Sequence, residues 1–162
     1  MKWRRKEAFM EGLDSFDISL LRAMQDNCQQ TSQQLAEQIG LSATAVQRRI
    51  KRLREQEIIV KEVAVLNPLL LGNRMTVIVQ VILEKGGPQI VDAFKRRMCR
   101  HPEVQQCYYV AGEYDFVLVV NVANITDYDL LTRRLFPDEL KVSKYYTIIA
   151  IEAVKADLSL PI

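Results

Sequence analysis

One amphipathic segment, Ser42–Arg54, constrains the fold of this chain more than any other stretch. Its apolar residues recur at three- and four-residue steps, which predicts a helix with one narrow buried stripe. These residues are Ala43, Val46, Ile50 and Leu53. The far side carries Thr44, Arg48 and Lys51, with Gln47 and Arg52 on the flanks. Such a helix needs a core on one side and suits a polyanion on the other, although the pattern alone also fits a surface helix with a solvated basic face.

The preceding residues favour the polyanion. Apolar spacing predicts a first helix at about Phe16–Asp26, capped by Asp14 or Ser15, and a second helix follows Thr31 and Ser32. Gly40 ends the second helix, because glycine takes the positive φ of a helix C-terminus without strain. A short turn containing glycine between two helices, the second of them basic, is typical of a helix-turn-helix. We therefore interpret Ser42–Arg54 as a DNA-recognition helix.

Within this helix the residue types predict different roles. Arg48 and Gln47 suit bidentate bonds to guanine and adenine edges. Thr44 suits a thymine methyl group or a phosphate, whereas Lys51 and Arg52 suit phosphates, which position the helix without reading sequence. The predicted DNA-contacting residues are Ser42, Thr44, Gln47, Arg48, Lys51 and Arg52. The role of Arg49 is left open, because this residue borders the apolar stripe, where an acid inside the module could pair with it.

The first module is expected to end with a wing. The β-branched run from Ile58 to Leu66 predicts a short pair of wing strands, and Asn67-Pro68 marks the boundary. We expect a basic tail at residues 1–12, a winged helix-turn-helix at 13–66, and a linker at 67–74.

The second module reads as β-α-β-β-α-β over residues 75–155, followed by a tail at 156–162. Strand patterns fall at 75–83, 104–110, 114–122 and 142–154, with helical patterns after Gly86-Gly87-Pro88 and after Asn124. This order predicts a ferredoxin-like antiparallel sheet with both helices on one face, and hence an α+β fold for the chain. Because the alternating Val, Ile and Tyr residues leave the other face in need of cover, we expect a second copy to supply it.

Charge is unevenly distributed. Residues 41–61 carry six basic and two acidic side chains, whereas from Asn67 onward eleven basic side chains face eleven acidic ones. The first module is therefore the expected electrostatic footprint for nucleic acid. Three cysteines give no even disulfide framework, which favours a reduced cytoplasm. No apolar run approaches the roughly 20 residues of a membrane span, and the basic N-terminus lacks the apolar region of a secretory signal.

The motifs together resemble the Lrp/AsnC family of feast/famine regulators, over nearly the whole span from Leu13 to Lys155. The first-module marks are Leu13-Asp14 with Asp17, Leu35-Ala36, Gly40-Leu41-Ser42, Val46, Arg49, Ile50, Leu53 and Asn67-Pro68. The second-module marks are Gly112-Glu113-Tyr114-Asp115, Thr147, Glu152 and Lys155. One departure is Glu57, at a position where the family usually has glycine.

The resemblance implies a transcriptional regulator that dimerises through its second module, forms tetramers, octamers or larger discs, and bends double-stranded DNA. It also implies a small effector, commonly an amino acid, bound between dimers near the loop matching Gly112 to Asp115. The residues agree in kind, since Asp115 can accept from an α-ammonium group, although a turn acid that bonds its own loop is equally open. The candidate effector residues are Gly112, Glu113, Tyr114, Asp115, Tyr108, Ile125 and Thr147.

Enzymatic function is the rival class. Sirohaem decarboxylase subunits share this two-module architecture, but the segment where they carry a histidine is here Val104–Tyr109, without one. Cys99, His101 and Cys107 match no strong zinc spacing. We therefore expect no catalytic residues, no metal and no cofactor other than the effector. A ligand-sensing protein without DNA binding is a third possibility, which the basic third helix disfavours.

Overall fold

The computed structural model describes residues 12–72, 74–84 and 87–162, apart from the side chain of Leu69. The chain divides into two compact units. One comprises the chain up to Val65 together with Asp157–Ile162, and the other is Leu66–Ala156. The predicted basic tail, except Gly12, and Gly86 of the predicted turn lie outside the described residues.

The described part of the first unit contains three helices: α1 at Ser15–Asp26, α2 at Ser32–Ile39 and α3 at Ala43–Glu55. The first two begin with reciprocal caps, because Asp14 and Thr31 each accept from the backbone N–H three residues on and receive a side-chain acceptor in return. Their buried faces meet in one apolar cluster that includes Leu20, Val46 and Leu53. The three predicted helices are confirmed.

A left-handed residue ends α3. Glu57 has φ +57°, its N–H donates to the Arg54 carbonyl at 3.0 Å, and the next N–H, of Ile58, donates to the Leu53 carbonyl at 2.9 Å. These two bonds satisfy carbonyls that a helix end leaves open, in the arrangement that glycine usually provides. The turn after α3 therefore forms with Glu57 at the position where the family that the sequence resembles usually has glycine.

The predicted wing strands are wrong for this chain. Residues 56–67, all of them described, contain no strand. The segment between Ile58 and Leu66 has no Asn-Gly, Asp-Gly or similar pair to reverse the chain in two residues, and its β-branched residues have no ladder partner among the described residues. Val60, Val63 and Val65 are exposed instead.

The last six residues join the first unit. The side-chain amide of Gln25 pairs with the backbone of Leu160, donating to its carbonyl at 3.0 Å and accepting its N–H at 2.6 Å. Arg22 donates to the Ile162 carbonyl. The predicted tail thus has defined hydrogen bonds to α1.

The second unit is a four-stranded antiparallel sheet with two helices. Its elements are a 3-10 turn at Pro68–Leu71, β1 at Met75–Leu83, α4 at Pro88–Met98, β2 at Val104–Tyr109, β3 at Phe116–Val122, α5 at Ile125–Leu135, a 3-10 turn at Asp138–Leu140 and β4 at Val142–Ile149. The strand order is β2-β3-β1-β4. This order and the β-α-β-β-α-β sequence of elements confirm the predicted ferredoxin-like fold.

Alternation along the strands separates the sheet into two unlike faces. Val77, Val79 and Val81 of β1 are fully buried and pack with α4 and α5 residues such as Phe94 and Leu131. The intervening side chains point to the opposite face. That face carries Ile78 and Ile82 of β1, Val117 and Val119 of β3, Tyr108 of β2, and Tyr146 and Ile148 of β4. None of the helices in the described ranges is long and apolar enough to cross a membrane.

The last strand is shorter than predicted. It ends at Ile149 rather than Val154, because β1 is its only partner among the described residues and the final bond joins the Ala150 N–H to the Thr76 carbonyl, one residue after β1 begins. Ile151 and Val154 lie beyond the ladder and are fully or almost fully exposed.

Replacing Glu57 by glycine should stabilise the first unit by about 0.5–1 kcal/mol. The left-handed conformation costs a non-glycine residue about 1–2 kcal/mol, which the greater entropy of an unfolded glycine only partly offsets. Urea unfolding followed by circular dichroism should give a higher midpoint at an unchanged slope.

Gln56→Gly is the matched control, since Gln56 has φ −83° and gains nothing from glycine. A lower midpoint for Glu57→Gly, or an equal gain in both variants, would contradict the role given to this residue.

Candidate DNA-binding helix and effector loop

The turn before α3 sets where this helix begins. Gly40 has φ +79°, and the next N–H, of Leu41, donates to the Ala36 carbonyl at 3.0 Å. Leu41 then packs against the core of the first unit, and the Ser42 hydroxyl accepts the Ala45 N–H at 3.2 Å. Ser42 therefore has a structural role as the N-cap of α3.

A buried carboxylate fixes α3 against α1. Asp17 is fully buried, and its two oxygens accept from Arg49 at 2.8 Å and from Arg52 at 2.5 Å. Arg49 also pairs with Asp14 at 2.8 Å and lies over the Phe16 ring, 5.6 Å from its centroid. Arg49 therefore pairs with acids of its own unit, which answers the question that its position in the sequence left open.

Within the cluster, the pKa values of Asp14 and Arg49 shift in the directions that their contacts require. The Asp17 N–H, and after it the Arg49 guanidinium, hold the pKa of Asp14 below its usual value. Hydrogen bonds to Asp17 and then to Asp14 raise the pKa of Arg49. The Nε atoms of Arg49 and Arg52 are buried without a hydrogen-bond partner, so the cluster is not fully satisfied.

The remaining polar residues of α3 face outward on one side. Thr44, Gln47, Arg48 and Lys51 are all exposed, and their spacing of three, four and seven residues places them on one helix face. Arg48 forms no ion pair within the described part of the chain, and Lys51 reaches Glu55 only at 3.9 Å. The opposite face holds the buried Val46, Ile50 and Leu53.

Two other basic residues of α3 are occupied. Arg54 donates twice to the Glu62 carboxylate, at 3.0 and 2.9 Å. Arg52, predicted to reach a phosphate, is bonded to Asp17 with its side chain 41% exposed. A phosphate bound by Arg52 would have to meet the part of the guanidinium that faces away from Asp17.

Asp115, in the loop between β2 and β3, has a structural partner. Its carboxylate accepts the Leu83 N–H at 2.8 Å, and its own N–H donates to the Val81 carbonyl at 2.9 Å. This pair lies where the pairing of β1 with β4 shifts register, between Ile82 and Leu83. In the same loop Gly112 has φ +156°, which a residue with a side chain rarely adopts, and Glu113 is exposed.

Three further candidates lie on different faces of the sheet. Thr147 lies opposite Val79 on the helix side, and its hydroxyl is 2.7 Å from that of Tyr128 in α5. Burial raises the pKa of Tyr128, and the hydrogen bond to Thr147 partly offsets this. On the open side, the Tyr114 ring meets the Tyr146 ring edge-on at 5.8 Å. Tyr108 is exposed there and donates to Gln106.

One chain does not bring all seven candidates together. The loop ending at Asp115 lies where Phe116 pairs with Val81, whereas Ile125 follows Val122, which pairs with Met75 at the other end of the sheet. The seven residues of β3 between them span roughly 20 Å at about 3.3 Å per residue. A site containing both the loop and Ile125 therefore needs more than one copy of the chain.

The cysteines and the histidine form no metal site in the residues described. No group of three His, Cys, Asp or Glu side chains there is placed to hold an ion. Cys99 is exposed, His101 lies 3.9 Å from Glu103, and burial, followed by the nearby Cys99, raises the pKa of Cys107 to about 11.

The sequence interpretation missed the role of Asp17 as the anchor of α3. The spacing from Asp14 could have indicated its part in a reciprocal cap, but not its contacts with Arg49 and Arg52 of α3. No such signal existed for Tyr128, whose hydroxyl meets Thr147 only through the packing of α5 on the sheet.

Comparison with known proteins places both units in one class, regulators that join a helix-turn-helix to a ligand-binding domain. Residues 13–54 match the AsnC-type helix-turn-helix domain, and residues 76–160 match the Lrp/AsnC ligand binding domain. The chain belongs to the Lrp/AsnC family.

Individual relatives agree with this assignment. An uncharacterized HTH-type transcriptional regulator of Sinorhizobium fredii is 40% identical over 93% of this chain and 89% of its own length. The crystal structure of an AsnC family transcriptional regulator from Agrobacterium tumefaciens superposes with a TM-score of 0.85 at 28% identity, covering 92% of this chain and 97% of that one. A feast or famine regulatory protein from Mycobacterium tuberculosis, complexed with L-methionine, gives 0.80 at 28% identity, with coverage of 91% and 98%.

Asp17→Asn should destabilise the first unit by about 3 kcal/mol. Breaking a buried ion pair from one side costs about 3–5 kcal/mol, and the partial exposure of Arg52 places the value at the lower end. Urea unfolding monitored by circular dichroism would measure it.

Asp26→Asn removes the same charge from an exposed position of the same helix and should change stability by less than about 0.5 kcal/mol. Equal midpoints for the two variants would show that the Asp17 cluster does not anchor α3.

Proposed function

We propose that this protein is a DNA-binding transcriptional regulator whose α3 enters the major groove and whose second unit responds to an amino acid. The observation that carries the proposal is the allocation of the basic residues of α3. Arg49 and Arg52 bind Asp17 and Arg54 binds Glu62. Arg48 and Lys51 remain outward, with Gln47 and Thr44 beside them.

This outward face suits DNA by type and spacing. Arginine and glutamine form bidentate bonds with guanine and adenine edges in the major groove, and lysine suits phosphate. Arg48 and Gln47 are assigned to bases, and Lys51 to the backbone. Thr44 and Ser42 are assigned to DNA contacts at the groove. They lie at the N-terminal end of α3, and the N-terminal residues of a recognition helix lie nearest the base edges.

The uncovered face of the sheet supports assembly with a second copy. Ile78, Val117, Val119 and Ile148 form an apolar surface on the side opposite the helices. Two copies joined through this face would present two α3 helices, and a closed two-fold dimer favours a two-fold symmetric DNA site. Higher assemblies such as octamers would bring the Asp115 loop of one copy toward Ile125 of another.

An amino acid is the proposed effector. The loop of Gly112, Glu113, Tyr114 and Asp115 offers a carboxylate for an α-ammonium group and backbone N–H groups for a carboxylate. Tyr108 and Ile125 are assigned to the walls of the same site, whereas Thr147, which lies on the helix side and bonds Tyr128, is left out of it. A relative of the same fold, 28% identical, is complexed with L-methionine, which makes methionine the first compound to test.

Arg48→Ala should reduce affinity for selected sites by about 1–3 kcal/mol, or about 5- to 150-fold, because alanine cannot form the bidentate bond to a base edge. The change for random duplexes should be small. Sites selected by the wild type from a random duplex library, followed by titrations against selected and random duplexes, measure the ratio.

Lys51→Ala serves as the comparison within α3. It should weaken binding to all duplexes alike and lower the slope of log affinity against log salt by about 0.9 for each phosphate that is no longer neutralised. Arg133→Ala, in the second unit, controls for loss of charge alone. Unchanged binding in both α3 variants would refute the assignment of α3 as the reading helix.

Asp115→Asn should weaken amino-acid binding at least tenfold without lowering the melting temperature. Asparagine retains an oxygen for the Leu83 N–H but has no charge for an ammonium group, and hydrogen bonds to charged groups contribute about 1.5–3 kcal/mol. Calorimetry with L-methionine and the other common amino acids, on both proteins, provides the measurement.

Asp115→Ala, which also removes the bond to Leu83, separates the two roles and should lose stability as well as binding. Wild-type affinity in Asp115→Asn would leave Asp115 with a purely structural role. Absence of heat with every amino acid tested would refute the effector class.

A further inference from the structure

The C-terminal end of α4 carries a concentration of positive charge that neither the reading helix nor the effector loop uses. Between Ala93 and Pro102 the chain has four basic residues and no acid. A cavity of about 270 Å³ opens there, lined by Ala93, Arg96, Arg97, Arg100, His101 and Leu140. We propose that this cavity binds a phosphate-type oxyanion.

The three arginines differ in how they are held. Arg97 is partly buried and donates through Nε and Nη2 to the Arg134 carbonyl, which fixes the plane of its guanidinium. Arg96 and Arg100 are exposed and form no ion pair within the described residues. One fixed and two adaptable guanidinium groups around a cavity suit a multivalent oxyanion, because arginine binds phosphate through two parallel N–H donors.

The acids on the neighbouring elements form no ion pair with the three arginines of the cavity within the described residues. Glu103 is bonded to Arg134 at 3.1 Å and lies 3.9 Å from His101. The other carboxylates are Asp92 on α4 and Asp138 and Glu139 on the turn that carries Leu140. None of these three forms an ion pair in the described part of the chain.

Helix polarity accounts for only part of the pattern. Basic residues in the last turn of a helix are stabilised by its negative end, which explains Lys95, Arg96 and Arg97. Helix polarity does not explain the cavity, and it does not explain why the basic run continues to Arg100 and His101, beyond the helix. The half elementary charge of a helix end is also outweighed by three guanidinium groups.

The oxyanion has two possible sources with the same chemistry, a backbone phosphate of bound DNA or a free phosphate compound. The first source rests on the proposed DNA-binding function, whereas the second does not. Inorganic pyrophosphate is the probe for the free compound, and a random duplex is the probe for the DNA backbone.

The test uses the full chain with the double variant Arg96→Gln and Arg100→Gln, both at exposed positions. Arg133→Gln with Lys155→Gln removes the same two charges from residues of the same unit that do not line the cavity. Calorimetry measures pyrophosphate binding, and duplex titrations at several salt concentrations measure the DNA slope. The cavity variant should either bind pyrophosphate at least tenfold more weakly than the control, or show a salt slope lower by about 2, at about 0.9 for each phosphate that is no longer neutralised.

The two arms separate the sources and keep this proposal distinct from the proposed function. Loss confined to pyrophosphate binding identifies a free ligand, and a decrease confined to the salt slope identifies the DNA backbone. Should the wild type bind no DNA, the proposed function fails and the pyrophosphate arm decides alone. If the cavity variant matches the control in both arms, the proposal is overturned. Circular dichroism spectra of both variants exclude unfolding as the cause.

Discussion

The ion cluster around Asp17 is the interaction on which the first unit depends. A fully buried carboxylate is costly unless it is paired and hydrogen-bonded, and Asp17 meets this demand with Arg49 and Arg52 of α3 and with the cap it forms at the start of α1. The pairing that Asp17 requires also restricts α3, because α3 can pack against α1 only in a register that brings both arginines to one carboxylate. That register decides which side of α3 faces outward, and therefore which residues are available to DNA.

A comparable constraint acts on the sheet of the second unit. The Asp115 carboxylate bonds the Leu83 N–H at the point where the register of β1 with β4 shifts. The loop that carries the candidate effector residues is therefore tied to the edge of the β1–β4 pairing. A ligand that competed for the Asp115 carboxylate would act on this bond, and so on the strand that supplies Tyr146 and Ile148 to the uncovered face. In the proposed function, Asp115 would therefore connect effector binding with assembly.

Sequence patterns predicted the parts of the fold that depend on local chemistry. Apolar spacing predicted α1, α2 and α3, and Gly40 predicted the turn. These predictions were correct because helices and turns depend on residues only a few positions apart in the sequence. The wing strands were predicted wrongly because a ladder depends on a partner segment, and the β-branched run from Ile58 to Leu66 does not say whether one is in reach. β4 stopped at Ile149 for the same reason. The roles of Asp17 and Thr147 depend on interactions across the fold, with α3 and Tyr128 respectively, which spacing along the chain does not reveal.

The basic residues show most clearly why residue type alone does not identify the side chains that are available to a ligand. Five basic residues lie on α3, yet the structure gives them different partners. Arg49 and Arg52 bind Asp17, and Arg54 binds Glu62. Lys51 reaches Glu55 only at 3.9 Å, and Arg48 forms no ion pair within the described residues. An equal count of basic and acidic residues after Asn67 likewise conceals the run from Lys95 to Arg100, in which Arg96, Arg97 and Arg100 form no ion pair within the described residues. A guanidinium held by an internal carboxylate stabilises the fold, whereas one without such a partner keeps its capacity for an external anion. In both units, then, the pairing of each arginine within the fold, rather than the sum of charges, determines which of them can recognise a ligand.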